Sequence, residues 1–369
     1  MKILHVTDGS IYNYDGVSTY INELLEFAYN GGEQLLVLST VPVNPEKLRT
    51  VNHKVEVKEF KNLKIFSSDK FKFSLPRGMK KSLDEFEPDL VWIHSIGPLG
   101  LRASHLAKNK YHVIYTKHCF DGDLWCNHLN IPIAFQWFYK LVAIFVERRV
   151  LKSSDVVIYH FNNTGKICSN KFFSKFKFTP PPLNERFLNE KSHRIGNHNN
   201  DIFTIGFCGR IDPEKSIEQI FKAADIYQKK YNKTNIRLLL IGDGPEAKTL
   251  VSQYPHVKAT ITGFVDNVIP YLDQLNAFVL ASKTETSSLS SLEAYSRGLP
   301  VFSTRVGYLG QNADKYQNIY NFNTAEDLAW LINEVLNVKK IPVLLPPIEL
   351  DTSIITFSKL HEMVVNEYL

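Results

Sequence analysis

The stretch FVLASKTETSSLSSLEAYSRGLPVFS, residues 278–303, holds the decisive pattern. It opens on one apolar run, Phe278–Ala281, and closes on another, Pro300–Ser303. Between them Ser288–Arg297 has helical spacing and stops at Gly298, the residue type that ends a helix most readily. Strand, helix and strand in so short a span read as one parallel crossover unit.

The same alternation continues outward on both sides. Further strands are expected at Phe203–Cys208, Arg237–Ile241, Ala259–Thr262 and Ile319–Phe322, with helices at about Ser216–Lys230 and Ala325–Leu336. Upstream, strands are expected at Ile3–Val6, Leu35–Leu38, Val55–Phe60, Leu90–His94, Val113–Thr116 and Val156–His160. Helices lie between them at about Val17–Tyr29, Leu99–Lys108 and Pro132–Leu151. In the last, Phe135, Phe138, Val142, Phe145 and Val146 recur at helical spacing and read as core. Near-continuous apolar strands suit a parallel sheet covered on both faces. The fold class expected is α/β, with two doubly wound, Rossmann-like domains facing each other across a central cleft that holds a ligand.

The alternation breaks once. Pro180, Pro181 and Pro182 are followed by a polar stretch to Asp201. Consecutive prolines stiffen a chain and end helices. The expected division is a first domain over 1–183, a linker over 184–200 and a second domain over 201–351. A tail helix from about 352 to 369 crosses back onto the first domain.

A length of 369 residues agrees with two domains at ~150 residues each. With 44% hydrophobic and 22% charged residues, a disordered or fibrous chain is excluded. The net charge of +5 favours anionic ligands or surfaces but is too small to imply a nucleic-acid partner. Four scattered cysteines, Cys119, Cys126, Cys168 and Cys208, form no disulfide framework, which points to a reducing compartment. Met1 runs straight into the first strand rather than into a signal peptide. The longest apolar stretch, Ile133–Val146, is shorter than the ~20 residues of a membrane span. A cytoplasmic protein, at most peripheral to the inner membrane face, is expected.

Three motifs carry chemistry. In Gly209-Arg210-Ile211-Asp212-Pro213-Glu214-Lys215-Ser216 a strand ends in glycine and a loop with two cations leads into a helix. Such a loop suits a diphosphate, because cations and helix N-terminal N–H groups converge on it. Glu285 and Glu293 stand eight positions apart, one after a strand and one inside the next helix, where carboxylates accept from sugar hydroxyls. His118 closes Tyr115-Thr116-Lys117-His118 at the carboxyl end of a strand, where an imidazole can donate to a substrate oxygen. Taken singly, each also reads as ordinary loop charges, a solvated helix, or a packed histidine.

Together the motifs resemble the retaining glycosyltransferases of GT-B fold, the "glycosyl transferases group 1" or family 4 set. The likeness is most specific where E-x7-E continues into Glu293-Ala294-Tyr295-Ser296-Arg297-Gly298-Leu299-Pro300-Val301. Gly242-Asp243-Gly244-Pro245, Gly263-Phe264-Val265 and Asp15-Gly16-Val17 support it. The resemblance implies transfer of a sugar from a UDP-sugar, or alternatively a GDP-sugar, with retention at the anomeric carbon. No cofactor and no metal is implied, and the departing phosphate takes the acceptor's proton. Arg210 and Lys215 then resemble the diphosphate-binding pair, Glu293 the acid on the ribose, and Glu285 and His118 the groups on the donor sugar. Gly16, Gly242, Gly244, Phe264, Ser287, Ser288 and Leu289 fall among the donor-binding positions. The second domain would take the donor, and the first a saccharide or lipid-linked acceptor in surface polysaccharide or glycolipid assembly. Two departures stand out. Thr286-Ser287-Ser288 replaces the family's Gly-Phe-Gly, and Gly307-Tyr308-Leu309-Gly310-Gln311-Asn312 replaces its G-G-x-x-E.

Other patterns compete. Gly242-x-Gly244-x-x-Ala247 with Asp266 imitates a dinucleotide fingerprint but sits on the second strand of its domain. Asp121-Gly122-Asp123, near Cys119, Cys126 and His128, imitates a metal motif without paired C-x2-C spacing. Lys171–Phe178 alternates bases with aromatics, as a half-buried strand does and as a patch on anionic lipid or single-stranded nucleic acid would. Two further readings remain: a nucleotide-sugar-binding protein without turnover, and a transferase acting on nucleic acid.

Overall fold

The computed structural model describes residues 1–42, 48–51, 54–63, 73–118, 132–160, 174–190, 202–337 and 355–368. The chain forms two compact units, Met1–Pro180 with Thr356–Leu369, and Pro181–Ile355.

The first unit is built on β1 (Lys2–Val6), β2 (Gln34–Thr40), β3 (Glu56–Phe60), β6 (Leu90–Ile93), β7 (His112–Lys117), β8 (Val156–Tyr159) and β9 (Phe176–Phe178). They lie in the order β3-β2-β1-β6-β7-β8-β9 and every neighbouring pair is parallel. A small antiparallel pair, β4 (Asn62–Leu63) and β5 (Phe73–Ser74), stands apart. β6 and β8 are buried along their whole length, as strands covered on both faces must be. The helices are α1 (Gly16–Asn30), α2 (Met79–Phe86), α3 (Pro98–Ala107) and α4 (Ile133–Ser153). Asp8 fastens α3 to the end of β1. Its carboxylate accepts from the Leu99 N–H at 2.8 Å, the Gly100 N–H at 3.1 Å and the Ser95 hydroxyl at 2.6 Å. Burial pushes its carboxyl up against the pull of those three donors.

One expectation is overturned. Phe135, Phe138, Val142 and Phe145 are exposed, and Val146 lies only partly buried against the core. α4 rests on α3 and the sheet through Ala143, Val150 and Leu151 instead. Helical spacing identifies an apolar face without saying whether protein covers it. The base–aromatic alternation ends in edge strand β9, where Phe176 is partly buried and Phe178 exposed; residues 171–173 lie outside the described residues.

The second unit contains β10 (Phe203–Cys208), β11 (Ile236–Ile241), β12 (Ala259–Ile261), β13 (Ala277–Leu280), β14 (Val301–Ser303) and β15 (Ile319–Asn321). Their order is β12-β11-β10-β13-β14-β15, all parallel, which is the doubly wound 3-2-1-4-5-6 arrangement. Alternate side chains serve opposite faces. Leu238 and Leu240 join Phe221 and Tyr227 of helix α6 (Ile217–Tyr231), while Leu239 and Ile241 join Phe278 and Leu292. The short helix α5 (Arg186–Asn189) lies within the stretch read as linker, and its Phe187, with Leu183, enters this unit's core. Helices α7 (Ala247–Gln253), α8 (Ile269–Leu272), α9 (Leu289–Ser296), α10 (Gly307–Gln311) and α11 (Ala325–Asn337) follow the strands.

The tail helix α12 (Phe357–Tyr368) packs on α1. Phe357 meets Tyr20 at 5.2 Å between ring centroids, and His361 Nε2 lies 2.9 Å from Glu33 Oε2.

Candidate active site

In the second unit the strand order reverses between β10 and β13, and an open α/β sheet makes its ligand crevice beyond the carboxyl ends of such strands. The loops there are Gly209–Ser216 and Ser282–Ser288. They bring two of the expected residues together: Lys215 Nζ donates to Glu285 Oε1 at 2.5 Å. The Ser282 hydroxyl donates to the same oxygen at 3.1 Å. Lys215 and Glu285 are 20% and 17% exposed, so solvent weakens their attraction only in part. Arg210 is more open. Its guanidinium lies 3.0 Å from Glu214 Oε1 and 3.1 Å from the buried Asp212. Each cation of the loop is thus held by a carboxylate, aligned rather than swinging free.

Close backbone approach shapes this loop. A Cβ on Gly242 (φ 141°) would sit 2.0 Å from the Gly209 carbonyl oxygen, and one on Gly244 2.2 Å from that of Ile211. Those glycines let the loops after β10 and β11 lie together, with the Gly209 N–H on the Ile241 carbonyl and the Ile211 N–H on the Asp243 carbonyl, both at 2.9 Å. Arg210 is pinned between the two bonds. Gly263 bridges Gly242, so partly buried Phe264 follows at the same end of the sheet.

Glu293 stands in α9, partly buried. Burial, and next the Glu293 charge, push the Cys208 thiol up. Ser287, Ser288 and Leu289 form the entry to α9, with Ser288 in the left-handed conformation at φ 54°. The Tyr308 N–H donates to the Ser287 carbonyl at 3.0 Å, and a Cβ on Gly307 would meet the Ser288 Cβ at 3.0 Å. The two departures from the family pattern are therefore neighbours in space: glycine at 307 leaves room for a side chain at 288.

In the first unit His118 follows β7 and does not stand alone. His118 Nε2 lies 3.3 Å from His94 Nδ1, and His94 Nε2 lies 3.0 Å from His5 Nδ1. The Tyr20 ring meets His118 edge-on at 4.6 Å, and its hydroxyl lies 3.0 Å from His160 Nε2. His160 Nδ1 faces the Thr179 carbonyl at 3.1 Å. The Thr179 hydroxyl lies 3.0 Å from the same nitrogen. Burial holds His94 well below the usual histidine range, with neighbouring histidines adding to it. It lowers His118 to about 3, helped by His160, and His160 to about 4. Near neutral pH His94, His118 and His160 are uncharged. Reading from sequence missed His94 and His5; the signal was there, since three strands end at His94, His118 and His160.

Gly16 begins α1, exposed, and a Cβ there would meet nothing within 4 Å. Asp121 and Asp123, with Cys119, Cys126 and His128, lie outside the described residues. Gly242-x-Gly244 serves loop packing on the second strand of its sheet, so the dinucleotide imitation has a structural account.

Comparison with known proteins agrees with this architecture. Residues 189–343 match the family Glycosyl transferases group 1, and residues 14–172 match Glycosyltransferase Family 4. An alpha-monoglucosyldiacylglycerol synthase from Acholeplasma laidlawii is 25% identical over 92% of this chain and 89% of its own. Sucrose-phosphate synthase from Thermosynechococcus elongatus superposes with a TM-score of 0.70 at 17% identity, over 92% of this chain and 90% of that one. The Anabaena Alr3699/HepE protein in complex with UDP and glucose does so at 0.67 and 17%, with the same coverage. At such identities the two structures speak to fold alone, two Rossmann-like parallel sheets of GT-B type.

Proposed function

The chain belongs to the group 1 glycosyl transferases, glycosyltransferase family 4, and from that premise we propose that it moves a sugar from a nucleoside-diphosphate sugar to a saccharide or lipid-linked acceptor, with retention and without a metal. The observation that carries this reading is the Lys215–Glu285 pair at the strand-order reversal of the second unit. Lys215 and Arg210 take the diphosphate and stabilise the charge that builds on it as the glycosidic bond breaks. Glu285 directs Oε1 to Lys215 and Ser282; Oε2 is left to accept from a donor-sugar hydroxyl. Glu293 takes the ribose hydroxyls. The uncharged His118 gives a hydrogen bond to a sugar hydroxyl without adding charge that would repel an oxocarbenium-like transition state. The leaving phosphate accepts the acceptor's proton, so the chain supplies positioning and electrostatics.

A UDP-sugar is the donor favoured, supported by the UDP bound in the Anabaena relative of the same fold; a GDP-sugar is the alternative. Glycolipid or surface polysaccharide assembly is the setting, supported by the diacylglycerol-linked activity of the Acholeplasma relative. A lipid-linked acceptor would bring the protein to the inner membrane face as a peripheral enzyme.

The test is a thermal-shift screen with UDP, GDP and their sugars, followed by turnover of the hits by wild type, Arg210→Ala and Glu293→Ala. One donor should be turned over by wild type. Each substitution should cost about ten- to a thousand-fold in kcat/KM. Tight donor binding with neither transfer nor hydrolysis would favour a binding protein, and unchanged kinetics in both variants would remove this site.

A further inference from the structure

Helix α4 turns a wide apolar face to solvent. Ile133 is 87% exposed, Phe135 60%, Trp137 63%, Phe138 52%, Leu141 54% and Phe145 58%. At about 100° per residue these side chains fall within an arc of roughly 200°, and Arg148, Lys152 and Arg149 continue the same arc in the last two turns. Ala143, Val150 and Glu147 occupy the remaining arc, where the first two are buried and Glu147 pairs with buried Lys117. Glu147 is the only acid of the helix. Arg149 stacks over Phe145 at 4.7 Å, joining the cationic end to the apolar part. Beyond it lies an open basic depression lined by Lys108, Lys110, Lys152 and Lys175. The acids at its edge, Asp89 and Asp155, accept from the Lys2 and Val113 N–H groups.

We propose that α4 lies in the surface of an anionic bilayer, with its apolar arc among the acyl chains and Arg148, Arg149 and Lys152 on the headgroups. Nearly nine-tenths exposure of an isoleucine and more than half-exposure of four aromatic rings in one arc is a large patch to leave in water. Cations follow the apolar arc on the same face and no carboxylate does. That is the charge pattern of an interfacial helix on anionic lipid. A second copy seated on the same face would bury three cations with no carboxylate there to pair them. No helix among the described residues is long and apolar enough to cross a membrane, so α4 lies on the bilayer rather than through it. The proposal deepens the reading of a lipid-linked acceptor and rests on it for its purpose.

Sedimentation of the full chain with phosphatidylglycerol–phosphatidylcholine vesicles, and with phosphatidylcholine alone, tests it without any donor. Wild type should bind the anionic vesicles, and less so as salt rises. The exposed triple substitution Phe135→Ser/Trp137→Ser/Phe138→Ser should weaken partition roughly a hundred-fold. Arg148→Glu/Arg149→Glu should abolish the preference for phosphatidylglycerol. Melting curves, and transfer to a water-soluble acceptor, should match wild type in both variants, so a failure of the enzymatic reading shows up separately. Wild type left in the supernatant, or variants that bind like wild type, would overturn the proposal. So would a vesicle-free dimer that the triple substitution splits, which would assign the face to a second copy.

Discussion

Lys215 meets Glu285 because the loops after β10 and β13 both empty at the point where the sheet reverses its winding. The E-x7-E spacing and the Gly209–Ser216 loop made both residues legible. Their contact was not, since it spans 70 positions and depends on strand order. His118 was legible for its place after a strand. His94 carried the same strand-end signal and was overlooked; His5 was not legible, because a histidine inside an apolar run looks the same whether the ring packs or bonds. Burial of His94, His118 and His160 has a pH signature. Unfolded histidines take a proton near pH 6.5, whereas the native row resists protonation down to about 4 for His160 and about 3 for His118. The unfolded state then binds more protons, so stability is full above about pH 6.5 and falls as pH drops through the window below it. Each such histidine contributes about 1.4 kcal/mol per pH unit there. Urea unfolding at several pH values should show this slope, and His160→Gln should lower it by about one proton. An unchanged slope would contradict the assignment. Ser288 offers a second check. A serine at φ 54° is strained where the family has glycine. Ser288→Gly should raise stability by up to about 1 kcal/mol, and a loss would show that its side chain does more than fit beside Gly307.

Strands of the parallel sheets were the easiest elements to read, because burial on both faces makes them continuous apolar runs. β6 and β8 depart from the expected bounds only at their ends. α2 escaped notice because it is only eight residues long, although Met79, Leu83 and Phe86 do recur at helical spacing and meet the core. α4 was seen as a helix but given the wrong surroundings. Its stripe has the same period in a core or at an interface, and the burial of Ala143, Val150 and Leu151 with the pairing of Glu147 on Lys117 shows which way it faces. The Asp8 cap on α3 is an element-scale prediction. Asp8→Ala would leave the Leu99 and Gly100 N–H groups and the Ser95 hydroxyl without their acceptor. A loss of about 2–4 kcal/mol in denaturant unfolding is expected, with turnover at low denaturant retained. A loss below about 0.5 kcal/mol would mean that water replaces the carboxylate at no cost.

At the scale of the molecule, two units each bury their own core, and the +5 charge divides into local uses. Arg210 and Lys215 serve the loop after β10, while Arg148, Arg149 and Lys152 serve the face of α4. Everything proposed for the second unit rests on sugar transfer driven from the Lys215 loop. The direct measurement is product formation from the nucleotide sugar selected by the binding screen, followed by proton NMR of the first product's anomeric centre, for wild type and Lys215→Met. The expected product keeps the donor's anomeric configuration, and kcat falls by about a hundred- to a thousand-fold in the variant. An inverted anomer, or Lys215→Met turning over at the wild-type rate, would contradict it.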